Sequence, residues 1–150
     1  MSENSEEACE FPTHPNDSEL IKKIVTQYKT IAIVGISKKI ERDSHMVAAY
    51  LKGNGYKIIP VNPTADTILG EKCYNRLSEI PFGVDVIDVF RKPSALVDLA
   101  DEIIGLENTP KSVWFQIGVI NNAAAKKIEK AGIEIVQNRC IKVEHIRINT

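Results

Sequence analysis

The sequence predicts an α/β fold built on a parallel, five-stranded sheet, and three observations carry that reading. Short Val/Ile-rich runs recur along the 150 residues, separated for the most part by segments with helical apolar spacing. The runs are nearly continuous in apolar residues, as strands are when helices cover both faces of a sheet. The first run ends in a glycine, Gly35, directly before residues suited to starting a helix.

The elements follow in order. Residues 16–18 (NDS) can cap a helix over 19–28, with Leu20, Ile21, Ile24 and Val25 on one face. Residues 30–35 (TIAIVG) are the first strand. Asp43 or Ser44 can cap a helix that ends near residues 52–55. Residues 56–61 (YKIIPV) form the second strand, with Pro60 near its end, where a missing N–H does least harm. Residues 62–72 read as loop and 77–80 as one helical turn. Residues 84–90 (VDVIDVF) are the third strand, and Pro93 or Ser94 starts the next helix, with Leu96, Val97, Ala100, Ile103 and Ile104 facing inward. Residues 112–116 (SVWFQ) are the fourth strand. Asn121 or Asn122 caps a helix to Lys130, with Gly132 as its stop, and residues 133–136 (IEIV) are the fifth strand. Residues 141–148 (IKVEHIRI) alternate like a strand but also suit a helix.

Crossovers of this kind give a doubly wound, Rossmann-type sheet with helices on both faces and an expected order of 3-2-1-4-5. Ligands bind such sheets at the carboxyl ends of the strands, where the order switches. Residues 1–15 read as an acidic tail and 16–150 as the domain.

Composition excludes several function classes. The net charge of -1 provides no general field for nucleic acid or an acidic membrane. No apolar run approaches the ~20 residues of a membrane helix, and the polar start is unlike a signal peptide. Three scattered cysteines without CxxC spacing point away from zinc and toward a reducing cytosol. No GxSxG, HExxH or GxxxxGK[ST] pattern occurs, so no catalytic group is assigned.

The turn after the first strand is the most informative segment. Gly35 permits a sharp turn or a close approach, Ser37 and Ser44 offer hydroxyls, and the next helix offers its N-terminus to an anion. Lys38, Lys39 and Arg42 place three cations within five residues, which suits several phosphates better than one. The fingerprint for NAD is GxGxxG with an acid after the second strand. Here Ser37 and Ile40 stand at the second and third glycine positions, and the second strand ends in Pro60-Val61-Asn62-Pro63 without a carboxylate. A ligand with a ribose 3′-phosphate and a pyrophosphate, coenzyme A, fits that pattern better. NADP fits the charge but not the glycines.

The residues also carry a resemblance. Ordered motifs at the strand ends, IAIVGIS (31–37), GYKIIPVNP (55–63), VDVIDVFR (84–91), VWFQIG (113–118) and NRCIKVEH (138–145), resemble the small single-domain CoA-binding proteins. That domain is similar to the nucleotide-binding domain of the succinyl-CoA synthetase α subunit. The resemblance implies a cytoplasmic domain that binds CoA or acyl-CoA across the switch point. By it, Gly35, Ser37 and Arg42 hold phosphates, beside the Lys38 cation and the Ser44 hydroxyl read from the loop itself, and Val61, Asn62 and Pro63 border the adenosine end. Phe90 and Arg91 flank the nucleotide, Gln116, Gly118 and Val119 line the pantetheine path, and Asn138, Arg139 and Cys140 stand at the mouth. Two departures stand out: members often have proline near position 40 and an acid at position 138, where this chain has Ile40 and Asn138.

Each site residue also has a plainer role. Arg91 can pair with Asp88 or Asp66, Phe90 can be core, and Pro60 and Pro63 can simply end a strand, leaving the Val61 and Asn62 carbonyls exposed. Gln116 is a strand-end amide that needs partners. Cys140 is a buried thiol or, beside Arg139, a reactive one able to form a mixed disulfide with CoA. His45 can reach a phosphate, and His145 is structural. Ile120 and the 141–148 segment offer a surface for a homodimer.

The expected function is non-catalytic binding of CoA or acyl-CoA as a sensor, carrier or accessory domain. The alternatives are part of an acyl-CoA-using enzyme that needs a partner, and an NAD(P)-binding sensor.

Overall fold

The computed structural model describes residues 17–150. The segment read as a tail, 1–15, lies outside the described residues.

Helix α1 (Ser18–Gln27) begins where expected. The Asp17 carboxylate accepts the Glu19 N–H at 2.9 Å, and Ile21, Ile24 and Val25 are buried. Strand β1 (Thr30–Val34) and helix α2 (Asp43–Gly53) follow, then β2 (Lys57–Val61). The stretch read as loop contains a small antiparallel hairpin, β3 (Thr67–Ile68) and β4 (Glu71–Lys72). Strand β5 (Val86–Val89) leads through a 3₁₀ turn that starts at Pro93 into α3 (Leu96–Ile104). Strand β6 (Ser112–Phe115), α4 (Asn122–Lys130), β7 (Glu134–Val136) and α5 (Ile141–Ile148) complete the chain. Asn121 caps α4 by accepting the Ala124 N–H at 3.0 Å. The ambiguous last segment is helical: Ile141 and Glu144, one turn apart, are both buried.

The five long strands form one parallel sheet in the order β2-β1-β5-β6-β7. In strand count this is 2-1-3-4-5, not the expected 3-2-1-4-5. Strand β5 pairs with β1 on the side away from β2. On the outer side of β2, Tyr74 forms a one-residue parallel bridge with Val61, donating its N–H to Pro60 O at 3.0 Å and accepting the Asn62 N–H at 2.9 Å. The switch therefore falls between β1 and β5.

The sheet divides two cores. Ile31, Ile33, Val86, Trp114 and Val136 face α1, α2 and α5. Ala32, Ile87, Val89, Val113 and Phe115 face α3 and α4. Ile120 is buried, so it offers no dimer surface. Among the described residues no helix is long and apolar enough to cross a membrane.

Candidate functional site at the carboxyl edge

Gly35 stands where the sheet order switches. Its N–H donates to Val61 O at 3.2 Å, and the Phe90 N–H donates to Val34 O at 2.9 Å. Its φ is 84°, and a Cβ there would collide with the Phe90 carbonyl oxygen and lie 3.2 Å from Arg91 Cδ. Glycine is required both for the left-handed backbone and for the close approach of the β5 end. The turns after β1 and β5 thus meet at one point and bring Gly35, Phe90 and Arg91 together, whereas the expected order would have put the second strand between them.

Past Gly35, buried Ile36 anchors a turn that is tied to α2. Ser44 does not cap that helix from outside; it lies in the first turn, and its Oγ accepts the Ser37 N–H at 2.9 Å. The N-cap position is Arg42, whose side chain makes no capping bond. The first-turn N–H groups of α2 therefore receive no side-chain cap, which leaves a helix N-terminus suited to an anion. Ser37 Oγ accepts the Lys39 N–H at 3.1 Å. His45 Nδ1 lies 2.9 Å from Ser37 O, so its Nδ1–H braces the loop from inside and does not reach for a phosphate. Lys38, Lys39 and Arg42 are exposed, and among the described residues none of the three forms an ion pair.

Asn62 follows β2, and its amide explains the missing acid. Nδ2 donates to Ile36 O at 2.8 Å, and Oδ1 accepts the Thr64 N–H at 2.8 Å. A carboxylate could not make the first bond, so this position is built to brace the turn after β1 and not to hold ribose hydroxyls. Val61 is buried and its carbonyl accepts from Gly35, which corrects the expectation of an exposed acceptor there. Pro63 is exposed beside it.

Asp88 does not pair with Arg91. It is fully buried in β5, and neither of its carboxyl oxygens makes a well-formed hydrogen bond. Burial pushes its pKa well above the ordinary carboxylate range, and the nearby Val89 N–H offsets this only in part. Arg91 is exposed and makes no ion pair among the described residues. Phe90 packs partly against the core.

The turns after β6 and β7 are joined to each other. Gly118 (φ 82°) donates its N–H to Asn138 Oδ1 at 2.9 Å, and the Val119 N–H donates to Gln116 O. Asn138 has φ 59°, a left-handed conformation that asparagine tolerates better than most residues. Its amide thus has a structural role at the position where the resemblance implied an acid. Trp114 Nε1 donates to Arg139 O at 2.8 Å, which holds the mouth segment against the sheet and leaves the Arg139 side chain exposed. Gln116 is buried; its Oε1 accepts the Ile141 N–H at 3.2 Å, so part of its bonding is met by α5. Its NH₂ group has no protein partner among the described residues. Cys140 is the half-buried N-cap residue of α5. His145 packs edge-on against Tyr50 and Tyr56 and meets the Tyr50 hydroxyl at 2.6 Å. Burial, with Lys29 nearby, lowers its pKa, in keeping with a structural role.

Sequence reasoning missed two parts of this edge. Tyr74 carries no strand signal, because a single bridging residue has no period. Thr64, which closes the turn with Asn62, was visible only as an N-x-T spacing typical of side-chain-stabilised turns.

These features are those of a Rossmann-like α/β domain with a glycine turn at the switch point, an uncapped helix N-terminus and, around it, cations without ion pairs among the described residues. Residues 29–146 match the family model described as CoA binding domain, and the chain belongs to that family. It is 39% identical over 132 residues to the uncharacterized protein YneT of Bacillus subtilis, covering 88% of this chain and 96% of that one. Over 60 residues it is 42% identical to acetate–CoA ligase [ADP-forming] II of Archaeoglobus fulgidus, covering 39% of this chain and only 9% of the ligase. A solved structure of a hypothetical protein from Pyrococcus horikoshii superposes with a TM-score of 0.85 at 40% identity, covering 94% of this chain and 98% of that one.

Proposed function

We propose that the protein binds coenzyme A or an acyl-CoA across the β1–β5 switch as a non-catalytic sensor, carrier or accessory domain in the cytosol. The observation that carries this reading is the set of exposed cations, Lys38, Lys39, Arg42 and Arg91, around the Gly35 turn, none of them with an acidic partner among the described residues. Charge left unpaired beside an uncapped helix N-terminus suits a polyphosphate ligand. Ser37 and Ser44 add hydroxyls, and Val61, Asn62, Pro63 and Phe90 border the nucleotide. The pantetheine arm runs past Gln116, Gly118 and Val119, with the free Gln116 NH₂ donating to one of its amide carbonyls. Asn138, Arg139 and Cys140 form the mouth. Membership of a CoA-binding family supports the ligand.

The partial likeness to ADP-forming acetate–CoA ligases favours a second reading, a component of an acyl-CoA-using enzyme whose catalytic groups come from a partner. NAD is disfavoured because Asn62 is committed to the loop backbone.

Native purification, denaturation and mass spectrometry of the released small molecules test the ligand. CoA or an acyl-CoA is expected; NAD(H) in its place would overturn the reading.

A further inference from the structure

The segment after β7 brings a thiol to the start of a helix. Cys140 is half-buried, one of two free cysteines among the described residues, and it is the N-cap residue of α5. Its backbone is extended there (φ -94°, ψ 117°), and its side chain makes no capping bond. Serine, threonine, aspartate or asparagine at an N-cap would accept a first-turn N–H, whereas a thiol is a weak acceptor. Among the described residues the Lys142 and Val143 N–H groups meet no acceptor. The segment itself is fixed: Arg139 O accepts from Trp114 Nε1 at 2.8 Å, and Cys140 O accepts the Glu144 N–H at 3.0 Å.

Gln116 points to a missing ligand. It is only 5% exposed, and its Oε1 accepts the Ile141 N–H at 3.2 Å, which sets its amide against the residue next to Cys140. The NH₂ on the same carbon has no protein partner among the described residues. A buried amide with both N–H bonds unmade is costly unless a further group accepts them. The buried carboxylate on the first turn of α5 is not that group, because Arg147 engages both oxygens of Glu144 at 3.1 Å. Cys73, the other free cysteine, is a contrast: it is buried, its Sγ lies 3.6 Å from Asn62 O, and burial pushes its thiol pKa up.

A thiol beside unmet N–H donors pairs a nucleophile with groups that can hold an oxyanion, which is what acyl transfer to sulfur requires. We propose that Cys140 accepts the acyl group of a bound acyl-CoA, so that the chain becomes a covalent acyl carrier. This rests on the nucleotide reading, which brings the thioester to the mouth. Cys140 Sγ attacks the thioester carbonyl carbon. The carbonyl oxygen takes up the negative charge and is met by the Lys142 and Val143 N–H groups and the Gln116 NH₂. The bond from that carbon to the CoA sulfur then breaks, and the bond to Cys140 remains. The Cys140 thiol gives its proton to solvent, and the leaving CoA thiolate takes one back. One thioester replaces another, so no oxidant or co-reactant is needed. The step is self-acylation, one group per chain, and not turnover.

The test incubates the full chain with excess acetyl-CoA and reads acetylation by intact mass and peptide mapping, with CoA binding measured in parallel by calorimetry. A single hydroxylamine-labile acetyl group on the peptide holding Cys140 is expected, formed at a rate that saturates with acetyl-CoA and falls when CoA competes. S-acetyl-N-acetylcysteamine, a thioester without a nucleotide, should label it about a hundredfold more slowly. Gln116→Glu keeps the acceptor for Ile141 and loses the NH₂, and should slow labelling at saturating acetyl-CoA about a hundredfold. CoA binding without acetyl on Cys140 would overturn this proposal alone. Equal labelling by the two thioesters, labelling centred on Cys9, Cys73 or lysines, or an unchanged rate in Gln116→Glu would do the same. Absence of CoA binding would overturn the nucleotide reading with it. The peptide map and the comparison of thioesters use the parent protein, so they decide the matter even if the variant does not fold.

Discussion

The two ends of the sheet treat charge in opposite ways. At the amino end, carboxylates are paired and hold the fold. Asp85 accepts the N–H groups of Lys29 at 3.1 Å and Thr30 at 3.3 Å and pairs with Lys111 at 3.3 Å. Glu134, which opens β7, takes Lys23 Nζ at 2.6 Å and the Tyr28 hydroxyl at 2.9 Å. At the carboxyl end the cations Lys38, Lys39, Arg42, Arg91 and Arg139 stand exposed without acidic partners among the described residues, on turns whose own backbone is well bonded. Charge that is satisfied within the chain stabilises it; charge held out on a braced loop is available to a ligand. Glu102 and Glu107 are exceptions at the amino end: both are exposed and make no ion pair among the described residues.

Breaking the junction at the switch point should have the largest effect. Gly35→Ala forces a Cβ into the Phe90 carbonyl at a positive φ, and should cost about 3 kcal/mol or more in urea unfolding. Asp85→Ala removes the acceptor of two backbone N–H groups and an ion pair at the other end. It should cost about 2 kcal/mol at pH 7 and leave CoA affinity unchanged. Burial alone would raise the Asp85 pKa, but the Lys29 and Thr30 N–H groups and Lys111 outweigh it and hold it below 3.8. Its contribution is present above that value and is lost as pH falls through the lower folded-state pKa, so the cost of the variant should shrink in acid.

Asp88, three residues on, has the opposite sign. Its folded-state pKa is raised, so its contribution is full below 3.8 and is lost as pH rises toward the folded-state value. Asp88→Asn should therefore raise the urea midpoint, more at pH 8 than at pH 5; an equal shift at both would contradict this account. Lys38→Ala/Arg42→Ala should reverse the Asp85 result: stability within about 0.5 kcal/mol of the parent, and CoA binding weaker by about tenfold in calorimetry. Asn138→Ala should have the smallest effect. Loss of the acceptor for the Gly118 N–H and of a residue tolerant of φ 59° should cost about 1 kcal/mol.

Much of this was legible in the residues themselves. The Val/Ile runs located all five long strands, and Gly35 before a helix start marked the turn at the switch. Asn121 and Gly132 bounded α4 as capping chemistry predicts. Strand order was not legible, because which strands pair is a tertiary outcome with no local signature, and the Tyr74 bridge to Val61 is another such contact. Side-chain commitments were not legible either. Ser44, Asn62 and Asn138 read as polar groups open to a ligand, and each proved to bond a neighbouring loop backbone. A polar residue type says that bonds will be made, while the direction depends on which loops the sheet order brings together. The exposure of the cations was legible, since long charged side chains on turns keep their heads in water.

The account rests most directly on the basic turn meeting a ribose 3′-phosphate in addition to the pyrophosphate. Calorimetric titration with CoA and with dephospho-CoA, each against the parent protein and Lys38→Ala/Arg42→Ala, measures that contact. The predicted result is tighter binding of CoA by the parent, with the difference between the two ligands reduced in the variant. Equal affinity of the parent for both ligands, or no binding of CoA at all, would contradict it.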